Sequence, residues 1–282
     1  MMKSHLIQTI LPLAGATLLA TGLLVGCQDT NYPDPSPTSN PSTALARFNF
    51  VNVSPDAPAV NFFVENIPAG TGQAINTAPL TASYVNAQAG GGGVQLRARA
   101  ASGNIGGIIG SNEVLFRASA TNNNNFATVA GNSYTVFLTD SLNRPRPTVV
   151  NGTNLGGPQF FVVTDTLTAP AAGRARVRFF NFAPDVPSAS ARLTNTTSST
   201  ATATLNNRAY RTTNAASLGY TSLPAGAYVT QVYAATAVQP TSSTVAPTVS
   251  TTLTLADGKI YTIYTQGLRR ANRLSIGSVQ HN

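Results

Sequence analysis

The chain has 282 residues, a formal net charge of +8 and only 9% charged residues, so neutral polar side chains must cover most of its surface. Its histidines, His5 and His281, sit near the two ends and its only cysteine is Cys27, which excludes a disulfide framework and argues against a His-based metal or general-base site. With 42% hydrophobic residues, the fold can stand on apolar burial alone.

In chain order, Lys3 precedes a charge-free apolar run from Leu6 to Val25, the layout of an export signal over residues 1–26. The run is also long enough to cross a bilayer as an uncleaved helix. Its glycines disfavour a permanent helix. It ends in Leu24-Val25-Gly26-Cys27, which resembles the bacterial lipobox. That resemblance implies lipid transfer to the Cys27 sulfur and cleavage before it. Two or three acyl chains hold a protein where one is marginal. Gln28 follows the cysteine and Asp29 comes one place later, so the expected location is the outer membrane, facing the periplasm or the exterior. Residues 27–45 read as the lipidated cysteine and a Pro/Ser/Thr-rich tether.

A repeat follows. Residues 46–58 (ARFNFVNVSPDAP) and 175–187 (ARVRFFNFAPDVP) match at an offset of 129, and residues 125–137 match 252–264 at 127. Two tandem domains are expected, at 46–170 and 174–282. Both alternate apolar and polar residues, as in Arg174–Phe179 and Val94–Ala100, with turn residues between. Period two predicts an all-β chain of antiparallel sheets with one wet face, in two sandwiches of Ig-like or transthyretin-like style.

The repeated segment is Pro55-Asp56-Ala57-Pro58 in one half and Pro184-Asp185-Val186-Pro187 in the other. The prolines stop strand pairing, and each aspartate can close an Asx-turn on nearby backbone, which predicts a rigid corner. The alternative is a calcium or ligand site on Asp56 and Asp185, although no acidic cluster stands near either. The openings, Leu223-Pro-Ala-Gly226, and the strands at Gly131–Val136 and Gly258–Ile263 resemble the family called domain of unknown function 4397. The first half departs from it, with Gln88-Ala-Gly-Gly at the Leu-Pro-Ala-Gly position. The resemblance implies tandem β-domains in secreted or surface proteins of bacteria and no particular activity.

Little catalytic chemistry is legible. Asp56, Glu65, Glu113, Asp140, Asp165, Asp185 and Asp257 form no paired motif of the kind glycoside hydrolysis needs. Gly103–Gly110 lacks the Lys-Ser/Thr of a phosphate loop. No catalytic residue, metal or cofactor is expected. Asp140-Ser141-Leu142 and Asp165-Thr166-Leu167 resemble acceptors of periplasmic O-glycosylation. The arginines are dispersed and alternate as a solvated sheet face, so nucleic acid is not expected; acidic polysaccharide or phosphate-bearing headgroups suit the charge better. The first expectation is therefore a membrane-anchored cell-envelope lipoprotein with a non-enzymatic binding, adhesion or scaffolding role, partnered by envelope protein or polysaccharide. The alternative is a glycan-binding accessory of a polysaccharide-uptake system, which exposed tyrosines such as Tyr84, Tyr210 or Tyr220 on one face would support. A carboxylate-dependent hydrolase ranks third.

Overall fold

The computed structural model describes residues 44–76, 78–90, 92–103, 105, 112–117, 125–144, 156–198, 202–234 and 248–282. The signal segment, the lipobox, Cys27 and the tether up to residue 43 lie outside the described residues, as do 104, 106–111 and Asn122–Asn124. Residues Thr43–Asn282 form one compact unit.

The unit is nearly all β. Its first half carries β1 (Leu45–Asn52), β2 (Val60–Val64), β3 (Ile67–Gln73), β4 (Leu80–Thr81), β5 (Val85–Gln88), β6 (Val94–Ala100), β7 (Glu113–Leu115), β8 (Asn125–Phe126), β9 (Ser133–Thr139) and β10 (Gln159–Asp165). The second carries β11 (Arg174–Asn181), β12 (Ser188–Asn195), β13 (Thr202–Ala209), the single helical turn α1 (Ala215–Leu218), β14 (Thr221–Pro224), β15 (Gly226–Ala234), β16 (Val249–Leu255), β17 (Ile260–Gln266) and β18 (Ser275–Gln280). Among the described residues no helix is long and apolar enough to cross a membrane.

Each half has an inner and an outer sheet. The inner sheets run β10-β9-β1-β5 and β18-β17-β11-β14; the outer sheets run β3-β2-β6-β7, with β8 also on β6, and β13-β12-β15-β16. The alternation of β1 sends Ala46, Phe48 and Phe50 into a core shared with Phe62, Leu96 and Ala98 of the outer sheet. Ala175, Val177 and Phe179 of β11 do the same against Ala191, Leu193 and Tyr228. Gly226 stands where an added Cβ would meet the Asn195 amide at 2.8 Å, at a φ of +147° that disfavours any side chain.

Two expectations about these sheets are corrected. The inner sheets are mixed, not purely antiparallel: β1 runs parallel to β9 from Arg47↔Ser133 to Asn52↔Leu138, and β11 parallel to β17 from Arg176↔Ile260 to Asn181↔Thr265. Side-chain alternation has the same period in either sense, so the sequence pattern does not register strand direction. Nor do the inner sheets keep a wet face. Val51, Val53, Phe137, Phe161 and Val163 of the first half form a third core with Phe180, Phe182, Tyr264 and Val279 of the second. Its rings meet closely, with Phe137 and Phe182 centroids 4.6 Å apart. Every residue of β9 and of β17 is buried as a result. The short β4 of the first half also adds to the second half's inner sheet, pairing Leu80 with Val279 in parallel.

Candidate functional site

At the end of the first strand of each half, asparagine makes the local turn. The Asn52 Oδ1 accepts from the Ser54 N–H at 3.1 Å, and the Asn181 Oδ1 from the Ala183 N–H at 3.2 Å. Their amides reach onward, Asn52 to the Gln73 carbonyl at 3.1 Å and Asn181 to the Val186 carbonyl at 2.7 Å.

Asp56 and Asp185 act over a longer range than an Asx-turn. Asp56 accepts from the Ser141 hydroxyl and from the Leu142 N–H at 2.8 Å, some 85 residues on. Asp185 accepts from the Arg269 and Arg270 N–H groups at 2.9 and 2.8 Å. Each carboxylate thus staples its corner to the loop that follows the central strand. Pro58 and Pro187 hold the chain leaving the corner. Ser141 is buried by this contact, whereas Thr166 is exposed.

The second half's corner and the first half's Asp140–Arg144 segment stand at one cleft. About 380 Å³ lies between the Asp140–Arg144 segment, Pro184, Asp185, Tyr210, Leu268 and Arg270. Asp140 forms its base, in a left-handed conformation at φ +71°. Its buried carboxylate accepts from Gln159 and from the Tyr210 hydroxyl, and from Arg211 Nη1 at 3.3 Å; Arg144 lies 3.5 Å away. Burial first, and the Asp140 charge second, push the Tyr210 hydroxyl pKa up. Burial lowers that of Arg211. Asp140 and Asp185 are both hydrogen-bonded within the fold, and Arg144 and Arg270 line the cleft beside them. Among the described residues no group of three His, Cys, Asp or Glu side chains could hold a metal.

A second polar hub ties the halves together. Arg178, expected on a solvated face, is 1% exposed. It donates to Asp165, to the Thr262 hydroxyl at 2.8 Å and to the Thr164 carbonyl at 2.9 Å. Its guanidinium lies over the Tyr220 ring at 4.7 Å. The other Asp165 oxygen accepts from Tyr84 at 2.9 Å and Thr135 at 2.7 Å. His281 completes the chain, with Nδ1 2.9 Å from the Tyr84 oxygen and Nε2 2.6 Å from Thr262 Oγ1. Since the Tyr84 proton goes to Asp165, Nδ1–H must donate to Tyr84, leaving Nε2 to accept from Thr262. This is a neutral imidazole, and burial pushes its pKa down to about 4.

Sequence reasoning set His281 aside as a terminal residue, and took Asp140 and Asp165 as unpaired carboxylates and as parts of glycosylation signals. The tyrosines whose exposure would have supported a glycan-binding face are not exposed. Tyr84 and Tyr210 are half-buried and spend their hydroxyls on Asp165 and Asp140, while the Tyr220 ring is covered by Arg176 and Arg178.

A family model described as "Domain of unknown function (DUF4397)" matches residues 46–192. None of the curated proteins matches the chain. Among solved structures, the Bacillus anthracis TIE protein is similar over 80% of this chain and 34% of its own, at 9% identity and a TM-score of 0.20. A leucine-rich repeat protein from Bacteroides thetaiotaomicron is similar over 80% of this chain and 26% of its own, at 10% identity and a TM-score of 0.19. The chain thus spans about a third and a quarter of their lengths.

Proposed function

Starting from a chain that belongs to the DUF4397 family, we propose a cell-envelope lipoprotein, lipidated on Cys27, whose β unit is a non-enzymatic binding, adhesion or scaffolding module. The observation that carries this is the sole cysteine at the junction of the apolar Leu6–Val25 run and the Pro/Ser/Thr-rich tether. Outer-membrane attachment is the preferred address, from Gln28 after the cysteine. We read 46–170 and 174–282 as tandem copies of one sandwich. The corresponding strand orders of the two inner and two outer sheets, β4 and β8 apart, support that reading. Envelope protein or polysaccharide is the proposed partner, and the cleft between Asp140, Asp185 and Arg270 is one surface for it.

The test replaces the anchor. Cys27→Ala is expected to release the protein from the membrane fraction and to stop processing before residue 27. Unchanged fractionation and processing of the variant would remove the proposal. Protease shaving of intact cells, paired with a pull-down, then reads the facing side and the partner.

A further inference from the structure

Three exposed arginines stand on one loop. Arg269, Arg270 and Arg273 follow β17, and among the described residues none of their side chains bonds to the fold. Other surface arginines do: Arg97 and Arg99 bind Glu113, Arg174 binds Ser222 and Arg176 binds the Thr168 carbonyl.

The loop is held from both sides. Asp185 accepts from the Arg269 and Arg270 N–H groups, and the Arg273 N–H donates to the Leu268 carbonyl at 3.0 Å. Gly267, at φ +91°, lies so close that an added Cβ would overlap the Arg273 carbonyl. The backbone carrying the three guanidiniums is thus set before any ligand arrives, which lowers the ordering cost of binding.

The loop also borders the cleft of about 380 Å³, where Arg270 stands with Arg144 and the exposed Asn143. Asp56, Asp140 and Asp185 are outnumbered there by Arg144, Arg211 and the three loop arginines, so the net charge at this cleft is positive. The cleft sits past the ends of β1, β9, β11 and β17, whereas the chain enters the unit at the start of β1. The eight residues of β1 span about 25 Å. The cations therefore stand at the end remote from where the Pro/Ser/Thr-rich segment joins, which favours an occupant beyond the chain's own membrane.

We infer that this loop and cleft bind an acidic polysaccharide, its carboxylate or sulfate groups paired with Arg269, Arg270 and Arg273. A guanidinium offers two parallel N–H donors that match either oxyanion. Arg144 adds positive charge from the facing wall, and the Asn143 amide offers hydrogen bonds to sugar hydroxyls. Cations repeated along one turn match charges repeated along a polymer, where a single small anion would meet one or two of them. The inference deepens the polysaccharide partner already proposed and rests on it.

The test titrates the full lipidated chain, in a nonionic detergent, with polygalacturonate and with dextran sulfate. Neutral dextran, inorganic phosphate and glycerophosphoglycerol are the comparators. Calorimetry is expected to show at least one acidic polymer binding, more weakly as salt rises, and neutral dextran not binding. Arg269→Gln/Arg270→Gln/Arg273→Gln keeps the backbone N–H groups that Asp185 holds. It is expected to weaken binding about tenfold, at about two- to threefold for each exposed ion pair. Arg47→Gln/Arg174→Gln/Lys259→Gln removes as many charges near the opposite ends of the strands, and is expected to change affinity less than about twofold. Arg270→Glu alone, expected to weaken binding about threefold, decides the matter should the first triple variant fail to fold. Absence of binding by both acidic polymers overturns the inference. So do equal losses in the two triple variants, which would mean attraction to net charge alone. Phosphate or glycerophosphoglycerol binding as tightly as either polymer also overturns it, and assigns the arginines to a lone phosphate or a lipid headgroup. The anchor is intact in every titration, so failure here is distinct from membrane retention of Cys27→Ala, and a partner of another kind would still appear in the pull-down.

Discussion

Replacing His281 with Gln is expected to remove an acid-sensitive part of the fold's stability. The imidazole is buried, and that burial lowers its pKa from 6.5 to about 4, with Asp165 opposing and Arg178 reinforcing the fall. The unfolded chain protonates His281 near 6.5 and the folded chain only near 4. Between those values the unfolded state holds more protons, so acid favours it. The contribution is complete above pH 6.5 and lost as pH falls toward 4. Linkage over these two values amounts to about 2 kcal/mol between pH 7.5 and 5. In a unit of this size that corresponds to a fall in Tm of about 4–8 °C.

The glutamine variant cannot titrate there. Whatever it loses at neutral pH by mismatching Tyr84 or Thr262, its stability is expected to fall less with acid. Asp165, Arg178 and the other ionisable groups remain in both proteins, so the difference between the two pH profiles isolates the imidazole. Urea unfolding of the full chain at pH 7.5, 6.5, 5.5 and 5 measures it. Parallel profiles for the wild type and His281→Gln would refute the buried neutral imidazole.

Other expectations follow from the same contacts. Arg178→Met or Asp165→Asn leaves a buried group without its partner and is expected to cost about 3–5 kcal/mol in urea unfolding. The double variant is expected to recover part of that, and strict additivity would mean that the two are not coupled. Asp185→Ala removes two charge-assisted bonds and is expected to cost about 1–3 kcal/mol. Hydrogen exchange at the Arg269 and Arg270 amides should then quicken, and unchanged protection would sever Asp185 from that loop.

The sequence carries the β class, the strand positions and the corner at each motif, because alternation and proline are local signals. It does not carry the stacking of the inner sheets. Thr135, Thr262 and Arg178 read as solvent-facing, since a polar residue every second position is the mark of a wet face. In the fold they are buried. They are tolerated because each finds a partner across the junction: Thr135 with Asp165, Thr262 with Arg178 and His281. Pairings 19 to 84 residues apart leave no periodic trace. The motif aspartates were visible for the same reason that their role was misjudged. Pro-Asp-x-Pro is a turn signal, but the turn bonds come from Asn52 and Asn181, freeing Asp56 and Asp185 for loops some 85 residues away.

The shared core makes a further prediction about how the unit unfolds. Phe137, Phe161, Phe180, Phe182 and Tyr264 are buried where the two inner sheets meet, together with Val51, Val53, Val163 and Val279. Burial of each such side chain contributes about 1.5–3 kcal/mol. Summed over the cluster, that gross contribution reaches or exceeds the whole net stability of an ordinary domain, about 5–15 kcal/mol. Either half alone would expose its part of the cluster to water, along with one member of the Arg178–Asp165 pair. Neither half can therefore hold its native state while the other is unfolded. Calorimetry of the full chain should give one transition, with van't Hoff and calorimetric enthalpies equal. Phe182→Ala should lower the whole transition rather than split it. Two resolved transitions, one of them unmoved by Phe182→Ala, would mean that the halves are stable independently and that the third core is only a contact between finished domains.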